Sequence, residues 1–126
     1  MNYTLGADKR LKSQKSIDRL FVEGKRLHKF PITAVYYREE SETSTYQIAV
    51  SVPKRLFKKA VDRNLLKRRL REAFRLNQDK LNLNSKLEVM FIYMAREKLD
   101  YKKIEKSMVV LLGLLNSSST VHTENK

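Results

Sequence analysis

Several residue types that build sites in proteins are scarce or absent in this chain. The 126 residues include no cysteine and no tryptophan, only three glycines and only two histidines. Without cysteine the chain has no disulfide framework, no thiolate metal site and no thiol nucleophile, which suits a reducing cytoplasm. The glycines do not form a phosphate-binding loop, and His28 and His122 have no partner at metal-ligand spacing. The sequence therefore predicts no catalytic side chain and no metal site.

Long apolar runs are also absent, and acidic residues are few. The longest apolar runs, 89–93 and 108–112, are far shorter than the roughly 20 residues that span a bilayer, and residues 1–8 lack the apolar core of a secretion signal. Basic residues outnumber acidic ones by 27 to 14, and 41% apolar content is enough for a core. These features predict one compact domain over 1–116, a polar tail over 117–126, a cytoplasmic location and a polyanionic partner.

The first half of the chain predicts one helix followed by two strands. Ser13 is a suitable N-cap for a helix that runs to about Glu23, with Gly24 in the left-handed position after its end. Residues 31–37 and 46–52 are rich in β-branched and aromatic side chains and are typical of strands. They are close enough in sequence to form a hairpin with the acidic link between them at its solvated tip.

The second half predicts a helix, a strand and a further helix. The first helix spans about 60–77, and a turn at 82–86 leads into the nearly continuous apolar strand 87–94, which is typical of a central position. Asp100 can cap a last helix over about 101–115. The order helix, strand, strand, helix, strand, helix predicts a single α+β domain.

The segment 54–75 concentrates the positive charge of the chain. It holds ten basic residues against Asp62 and Glu72, a net charge of +8 out of the +13 of the whole chain. With 100° per residue, one arc of the helix is apolar and another, about 100° wide, is polar and basic. The apolar arc consists of Leu66, Leu70, Ala73 and Phe74. The basic stripe consists of Ala60, Asn64, Lys67, Arg68, Arg71 and Arg75.

The basic stripe has three interpretations. Arginine presents a planar fork that matches phosphate oxygens, so a nucleic-acid surface is the first. An ordinary solvated face and a helix lying on an anionic membrane are the others, although the opposite arc is typical of a protein core and no tryptophan is present to anchor it. Because like charges three and four residues apart repel, the stripe costs stability unless an anion relieves it.

The same segment resembles the signature of the bacterial ribonuclease P protein family. The match begins at Ser51-Val-Pro-Lys-Arg and continues from Ala60 through a spaced basic set. That set is Arg63, Asn64, Lys67, Arg68 and Arg71. Upstream, Leu11-Lys12, Ile17, Phe21 and Gly24 follow the family's first-helix pattern, so the resemblance spans roughly residues 9 to 115.

The resemblance implies a fold, a function and partners. The implied fold is α+β with a mixed sheet, a basic crossover helix and a left-handed βαβ crossover, in the class called ribosomal-protein-S5-domain-2-like. The implied function is to assist a catalytic RNA in removing the 5′ leader of precursor tRNA, with Mg²⁺ held mainly by that RNA and the protein alone a monomer. Carried over by position, the residues that meet the RNA subunit are Ala60, Arg63, Asn64, Lys67, Arg68, Arg71 and Arg75.

A second surface, a cleft between the first helix and the sheet, is implied to receive the single-stranded leader. Its residues are Ile17, Phe21, Tyr36, Ser51, Lys54, Arg55 and Arg96. Ile17 stands where the family often has an aromatic residue, so Phe21 or Tyr36 would supply base stacking, and the alignment of Tyr36 can shift by one onto Tyr37. Two alternatives stay open: a general RNA- or DNA-binding protein without a processing role, and a Mg²⁺ site in the acidic link, formed by Glu39, Glu40 and Glu42.

Overall fold

The fold combines three helices with one four-stranded sheet, as the α+β prediction requires. The computed structural model describes residues 10–40, 45–81 and 85–117. Its elements are α1 (Gln14–Glu23), β1 (Lys25–Lys29), β2 (Ile32–Glu40), β3 (Thr45–Ser51), α2 (Ala60–Asn77), a 3₁₀ turn (Gln78–Lys80), β4 (Ser85–Tyr93) and α3 (Tyr101–Ser117). The predicted turn at 82–86 lies partly outside the described residues, and Ser85 and Lys86 already belong to β4. Of the predicted tail, residues 118–126 also lie outside them.

The sheet is mixed, with strand order β1-β2-β4-β3. β2 is antiparallel to both β1 and β4, whereas β3 is parallel to β4 and is joined to it through α2. The predicted hairpin of β2 and β3 is therefore wrong, because β4 lies between the two strands. The most apolar strand takes the central position, where helices cover both of its faces. The β3–α2–β4 unit is the crossover that the resemblance implies, and its left-handed sense stays a prediction.

β1 was not predicted, because none of its five residues is β-branched or one of the aromatic residues that favour strands. It pairs with β2 from Lys25↔Tyr36 to Lys29↔Ile32. β1 is an edge strand, and basic side chains on an edge discourage pairing with another chain. The β2 ladder and the packing of Leu27 against the large core therefore hold β1 in place.

Gly24 ends α1 without the left-handed conformation that was predicted for it. Its φ of −74° and ψ of 160° are extended, and its N–H donates to the oxygen of Leu20 at 2.9 Å. The glycine is needed for space: a Cβ there would lie 2.3 Å from the Leu20 oxygen and 2.9 Å from the Tyr36 oxygen. Close approach of α1 to β2, rather than backbone strain, therefore explains this residue.

The helix starts follow the predicted caps. The Ser13 hydroxyl accepts a hydrogen bond from the Ser16 N–H at 3.3 Å, and Asp100 accepts one from the Lys103 N–H at 3.0 Å. These bonds satisfy backbone donors that a first helical turn leaves open. Both helices begin next to the capping residues that the sequence indicated.

The two faces of the sheet are covered unequally. The face under α2 and α3 belongs to a core of 20 buried apolar residues, which includes the predicted apolar arc of α2 and five residues of α3: Ile104, Met108, Leu111, Leu112 and Leu115. The face under α1 belongs to a separate cluster of four buried residues. The members of this α1 cluster are Leu11, Leu20, Val35 and Met90. Because successive strand residues point to opposite faces, neighbouring residues of β4 belong alternately to the large core and to the α1 cluster.

Candidate nucleic-acid interface

The apolar arc of α2 fixes the helix on the sheet and leaves the basic stripe outside. All four predicted members of the arc are fully buried. Ala60, Asn64, Arg68 and Arg71 are exposed, while Lys67 and Arg75 are partly buried. The predicted separation of the two arcs is confirmed, so the stripe forms one continuous face on a rigidly packed helix.

The acidic residues of this segment are both engaged in ion pairs. Asp62 lies 3.2 Å from the Lys98 ammonium, and Glu72 lies 2.5 Å from the Arg75 guanidinium. The hydrogen bond from Arg75, more than the opposing desolvation, holds the pKa of Glu72 below its usual value. In the part of the chain that the structure describes, no ion pair involves the side chains of Lys67, Arg68 and Arg71. Their charges are therefore open to an external anion.

Two further arginines of α2 hold the loops beside the stripe. Arg63 donates to the carbonyl oxygens of Phe57 and Lys58 at 2.9 and 2.8 Å, so it fixes the loop that leads into the helix. Arg69 donates to the oxygen of Leu99 at 2.6 Å and fixes the loop between β4 and α3. Arg63 thus has a structural contact in addition to the RNA contact that the resemblance implies.

The other face of the sheet carries three rows of paired residues near α1. The middle row, Val35–Met90–Ala49, lies in the α1 cluster. The row on one side joins Tyr37, Glu88 and Gln47. The row on the other side joins Thr33, Ile92 and Ser51, and β1 continues it with His28, whose Nδ1 lies 3.0 Å from the Thr33 hydroxyl oxygen.

Helical phasing assigns the two flanks of α1 to the two outer rows. Leu20 is fully buried and Ile17 packs on the α1 cluster. Arg19 projects from one flank and reaches Glu88. The phasing of the helix places Phe21 on the opposite flank, the side of the row of Thr33, Ile92 and Ser51. Phe21 is 45% exposed. We use the name α1 cleft for the region between the Phe21 ring and Ile17 on α1 and the Thr33–Ile92–Ser51 row of the sheet.

The structure overturns the placement of Tyr36 in this cleft. Tyr36 is 6% exposed and belongs to the large core on the opposite face of the sheet. Tyr37 is the tyrosine on the α1 face, where the Arg19 guanidinium lies 4.6 Å from its ring centroid. Strand alternation puts adjacent residues on opposite faces, so the assignment shifts by one. Because Tyr37 lies in the row beneath Arg19, Phe21 is the exposed ring on the flank of the α1 cleft.

Three basic residues, which we call the basic rim, follow the strand ends on the side of the α1 cleft. Lys54 and Arg55 follow β3, Arg96 follows β4, and all three side chains are exposed. Since β3 and β4 are parallel, the chain leaves both strands at the same edge of the sheet. The loop after β3 is held by the Leu56 N–H, which donates to the Pro53 oxygen at 3.1 Å. These predicted cleft residues are therefore at the edge where Ser51 ends its strand and where α2 begins.

Sequence reasoning missed several residues at this site. His28 was missed because β1 was missed, and Thr33 and Ile92 were not singled out within their strands. The alternation of Met90, Ile92 and Met94 was a usable signal, because Met90 is in the α1 cluster and Met94 is 40% exposed at the end of the strand. The N–H of Met94 donates to the Pro31 oxygen at 2.7 Å and extends the pairing beyond Tyr93.

The described residues also bear on metal binding and membrane insertion. Residues 10–40, 45–81 and 85–117 contain no group of three or more histidine or acidic side chains that could hold a metal ion. Of the acidic link, Glu42 lies outside these ranges, and Glu39 lies 3.9 Å from Arg19. None of the described helices has the length and apolar character needed to cross a membrane.

Comparisons with known proteins agree with this architecture. The chain is 33% identical over 127 aligned positions to a ribonuclease P protein component of Porphyromonas gingivalis, with 93% of each chain covered. A ribonuclease P protein component of Nitrosococcus oceani is 32% identical over 72 residues and covers 57% of the chain. Among solved structures, the ribonuclease P protein of Staphylococcus aureus has a TM-score of 0.70 at 21% identity, covering 85% of this chain and 94% of that one. The ribonuclease P protein of Thermotoga maritima has a TM-score of 0.68 at 23% identity, covering 87% and 97%.

A family model settles which family these likenesses indicate. The model described as Ribonuclease P matches residues 5–116, which include every described element except the last residue of α3. The match contains the basic stripe, the α1 cleft and the crossover through α2. The chain belongs to the ribonuclease P protein family.

Proposed function

We propose that this chain is the protein subunit of a ribonuclease P and that it assists a catalytic RNA in removing the 5′ leader of precursor tRNA. Family membership supports the general role. The observation that carries the specific proposal is the presence of two different surfaces on one rigid sheet. One is a basic helix face with open charges, and the other is a cleft with an exposed aromatic ring and a basic rim.

In this proposal the basic stripe binds the RNA subunit. Lys67, Arg68 and Arg71 have no acidic partner among the described side chains, so they are available to neutralise phosphates. Release of the counterions that those phosphates hold is the main source of binding free energy. Asn64, the exposed neutral polar residue of the stripe, can hydrogen-bond to a 2′-hydroxyl, a base edge or a phosphate.

The α1 cleft would bind the single-stranded leader. Stacking of bases on aromatic side chains is tolerant of sequence, and Phe21 offers such a surface. Lys54, Arg55 and Arg96 would attract the leader phosphates at the rim, and Ser51 could donate a hydrogen bond from the floor. This combination suits a flexible strand with an exposed backbone better than it suits a duplex.

The chain's residues would bind and position RNA, while the RNA subunit would hold the Mg²⁺ ions that supply the hydrolytic chemistry. This assignment gives the protein no catalytic side chain, although the assembled particle is an endoribonuclease. We place the particle in the cytoplasm, with the isolated protein a monomer.

The direct test measures cleavage of a 5′-extended precursor tRNA by ribonuclease P RNA at low Mg²⁺ concentration, with and without the protein. We expect the protein to stimulate cleavage, because it neutralises phosphate repulsion and holds the leader. Arg68→Ala should weaken binding of the RNA subunit, and Phe21→Ala should mainly reduce affinity for precursors with leaders. Equal loss of both functions in both variants would contradict the separation into two surfaces.

The rival is a general nucleic-acid-binding protein. It accounts for the net charge of +13, but it gives no reason for an aromatic cleft separate from the basic stripe. Tight binding of the RNA without any stimulation of cleavage would favour that rival.

A further inference from the structure

A carboxylate lies beneath α1 in the middle of the sheet. Glu88 belongs to the central strand β4 and is only 3% exposed. Its Oε1 lies 2.7 Å from Nη2 of Arg19, which projects from α1. Removing a carboxylate from water is costly unless it is paired and hydrogen-bonded, so this contact accounts for a charged residue in the sheet.

Arg19 also contacts the neighbouring strand. Its guanidinium lies 4.6 Å from the centroid of the Tyr37 ring and 3.9 Å from a carboxylate oxygen of Glu39, both on β2. The bond with Glu88 raises the pKa of Arg19, so the guanidinium stays charged. The Nε of Arg19 is buried without a hydrogen-bond partner among the described atoms. One side chain of α1 is thus bound to two strands in a single orientation.

The apolar attachment of α1 is small in comparison. The α1 cluster has four buried members, and only Leu20 among the helix residues is fully buried. A few apolar contacts can hold a helix on a sheet, but they leave its rotation and sliding weakly defined, because hydrophobic attraction has no direction. A charge-assisted hydrogen bond has a defined length and direction.

We propose that Arg19 and Glu88 are positioning residues that set the α1 cleft. The ion pair fixes one flank of α1 over Glu88 and thereby fixes the height of Phe21, on the opposite flank, above the row of Thr33, Ile92 and Ser51. Arg19 also neutralises a carboxylate beside a site for a polyanion. The effect on the leader rests on the proposed function, whereas the effect on α1 does not.

The test uses Arg19→Met, Glu88→Met and the double variant, with Lys15→Met as control. Lys15 is exposed on the same helix and loses the same charge. Arg19→Met strands a buried carboxylate and should weaken binding of a precursor with a leader by about tenfold. Glu88→Met should have a smaller effect, because the side chain of Arg19 is 34% exposed and retains water and Glu39. The double variant should recover most of the lost affinity, since a buried pair can be replaced by apolar residues at little cost.

Three measurements separate positioning from simple loss of structure. Affinity for mature tRNA and affinity for the RNA subunit should be unchanged in every variant. In the free protein, amide hydrogen exchange in α1 should rise in Arg19→Met and return in the double variant, with α2 and β4 unaffected. Lys15→Met should match the parent chain in exchange and in leader affinity.

The outcomes are distinguishable. Unchanged exchange in Arg19→Met, or no recovery in the double variant, would overturn the ion pair as the positioning element. Faster exchange without loss of leader affinity would overturn its control of the cleft. If Phe21→Ala also leaves leader affinity unchanged, the proposed leader site is wrong as well, and the exchange data still report whether the pair holds α1.

Discussion

The two faces of the sheet differ in how many apolar residues they bury. The face under α2 and α3 is covered by a core of 20 buried residues, and α2, which carries the basic stripe, packs on that core. The face under α1 has a cluster of four buried apolar residues and an ion pair whose carboxylate is buried, and it borders the α1 cleft. The difference predicts that opening the face under α1 costs less free energy than opening the face under α2 and α3, and that the ion pair is the main directional contact of α1.

The largest expected difference between the basic stripe and the α1 cleft lies in how strongly salt weakens RNA binding. Binding of the RNA subunit should weaken by about 10³-fold or more between 50 and 200 mM salt if six or more phosphates are engaged. Loss of Phe21 should leave that salt slope unchanged, while loss of Arg71 should make it shallower. Filter binding over a salt series measures both, and an affinity insensitive to salt would contradict the electrostatic role of the stripe.

Two adjacent residues of β4 provide a matched test of packing. Phe91 is in the large core and Met90 in the α1 cluster, on opposite faces of one strand. Phe91→Ala should lower the free energy of unfolding by about 3–5 kcal/mol and Met90→Ala by about 2 kcal/mol. Urea unfolding followed by circular dichroism gives both values. Equal losses would mean that the α1 cluster is as tightly packed as the large core.

The exposed aromatic ring on α1 should matter for the substrate and little for stability. Phe21→Ala should weaken binding of a precursor with a leader by about tenfold, within the range of one stacked base. Val22 is the control, because it is 82% exposed on the same helix and Val22→Ala removes apolar surface of α1 outside the cleft. Titration with precursors that carry and lack leaders measures the difference. A similar loss in Val22→Ala would show that the effect comes from α1 as a whole.

The smallest expected effect concerns Glu72, the acidic partner of Arg75 on α2. In the folded state the hydrogen bond from Arg75 holds the pKa of Glu72 below its ordinary value. A carboxylate with a lowered pKa stabilises the fold above its unfolded pKa, and that contribution is lost as the pH falls through the folded value. Glu72→Gln should therefore be slightly less stable than the parent chain at pH 7, and this difference should be smaller at pH 3. Thermal unfolding at both pH values checks this, and a constant difference would exclude the ion pair as its cause.

The predictions from sequence succeeded where a local pattern was sufficient. The bounds of α2 and its division into two arcs follow from periodicity and charge, and the caps at Ser13 and Asp100 follow from the local chemistry of helix starts. The sequence also indicated the central position of β4, because its run of apolar residues needs cover on both faces.

The failures concern long-range relations. The pairing of β2 with β4 rather than β3 depends on where a later strand inserts, and no local signal reports it. Tyr36 and Tyr37 must point to opposite faces of the sheet, but only the position of α1 decides which of the two tyrosines lies on the face of the α1 cleft. Arg19 and Glu88 are 69 residues apart, and neither has a neighbour in sequence that identifies the other.

The insertion of β4 between β2 and β3 also determines the order in which the chain can complete its structure. As the protein is synthesised, the residues of α2 emerge before those of β4, so the basic segment is made before the strand that joins β2 to β3. Ile32 on β2 can pair with Tyr93 on β4 only after β4 has been made, and pairings between residues so far apart in sequence make folding slow. Until β4 arrives, β2 and β3 each have an edge without that partner, and such edges are open to mispairing. An RNA that binds α2 during this interval would neutralise the repulsion between the basic side chains of the stripe while the sheet is still incomplete.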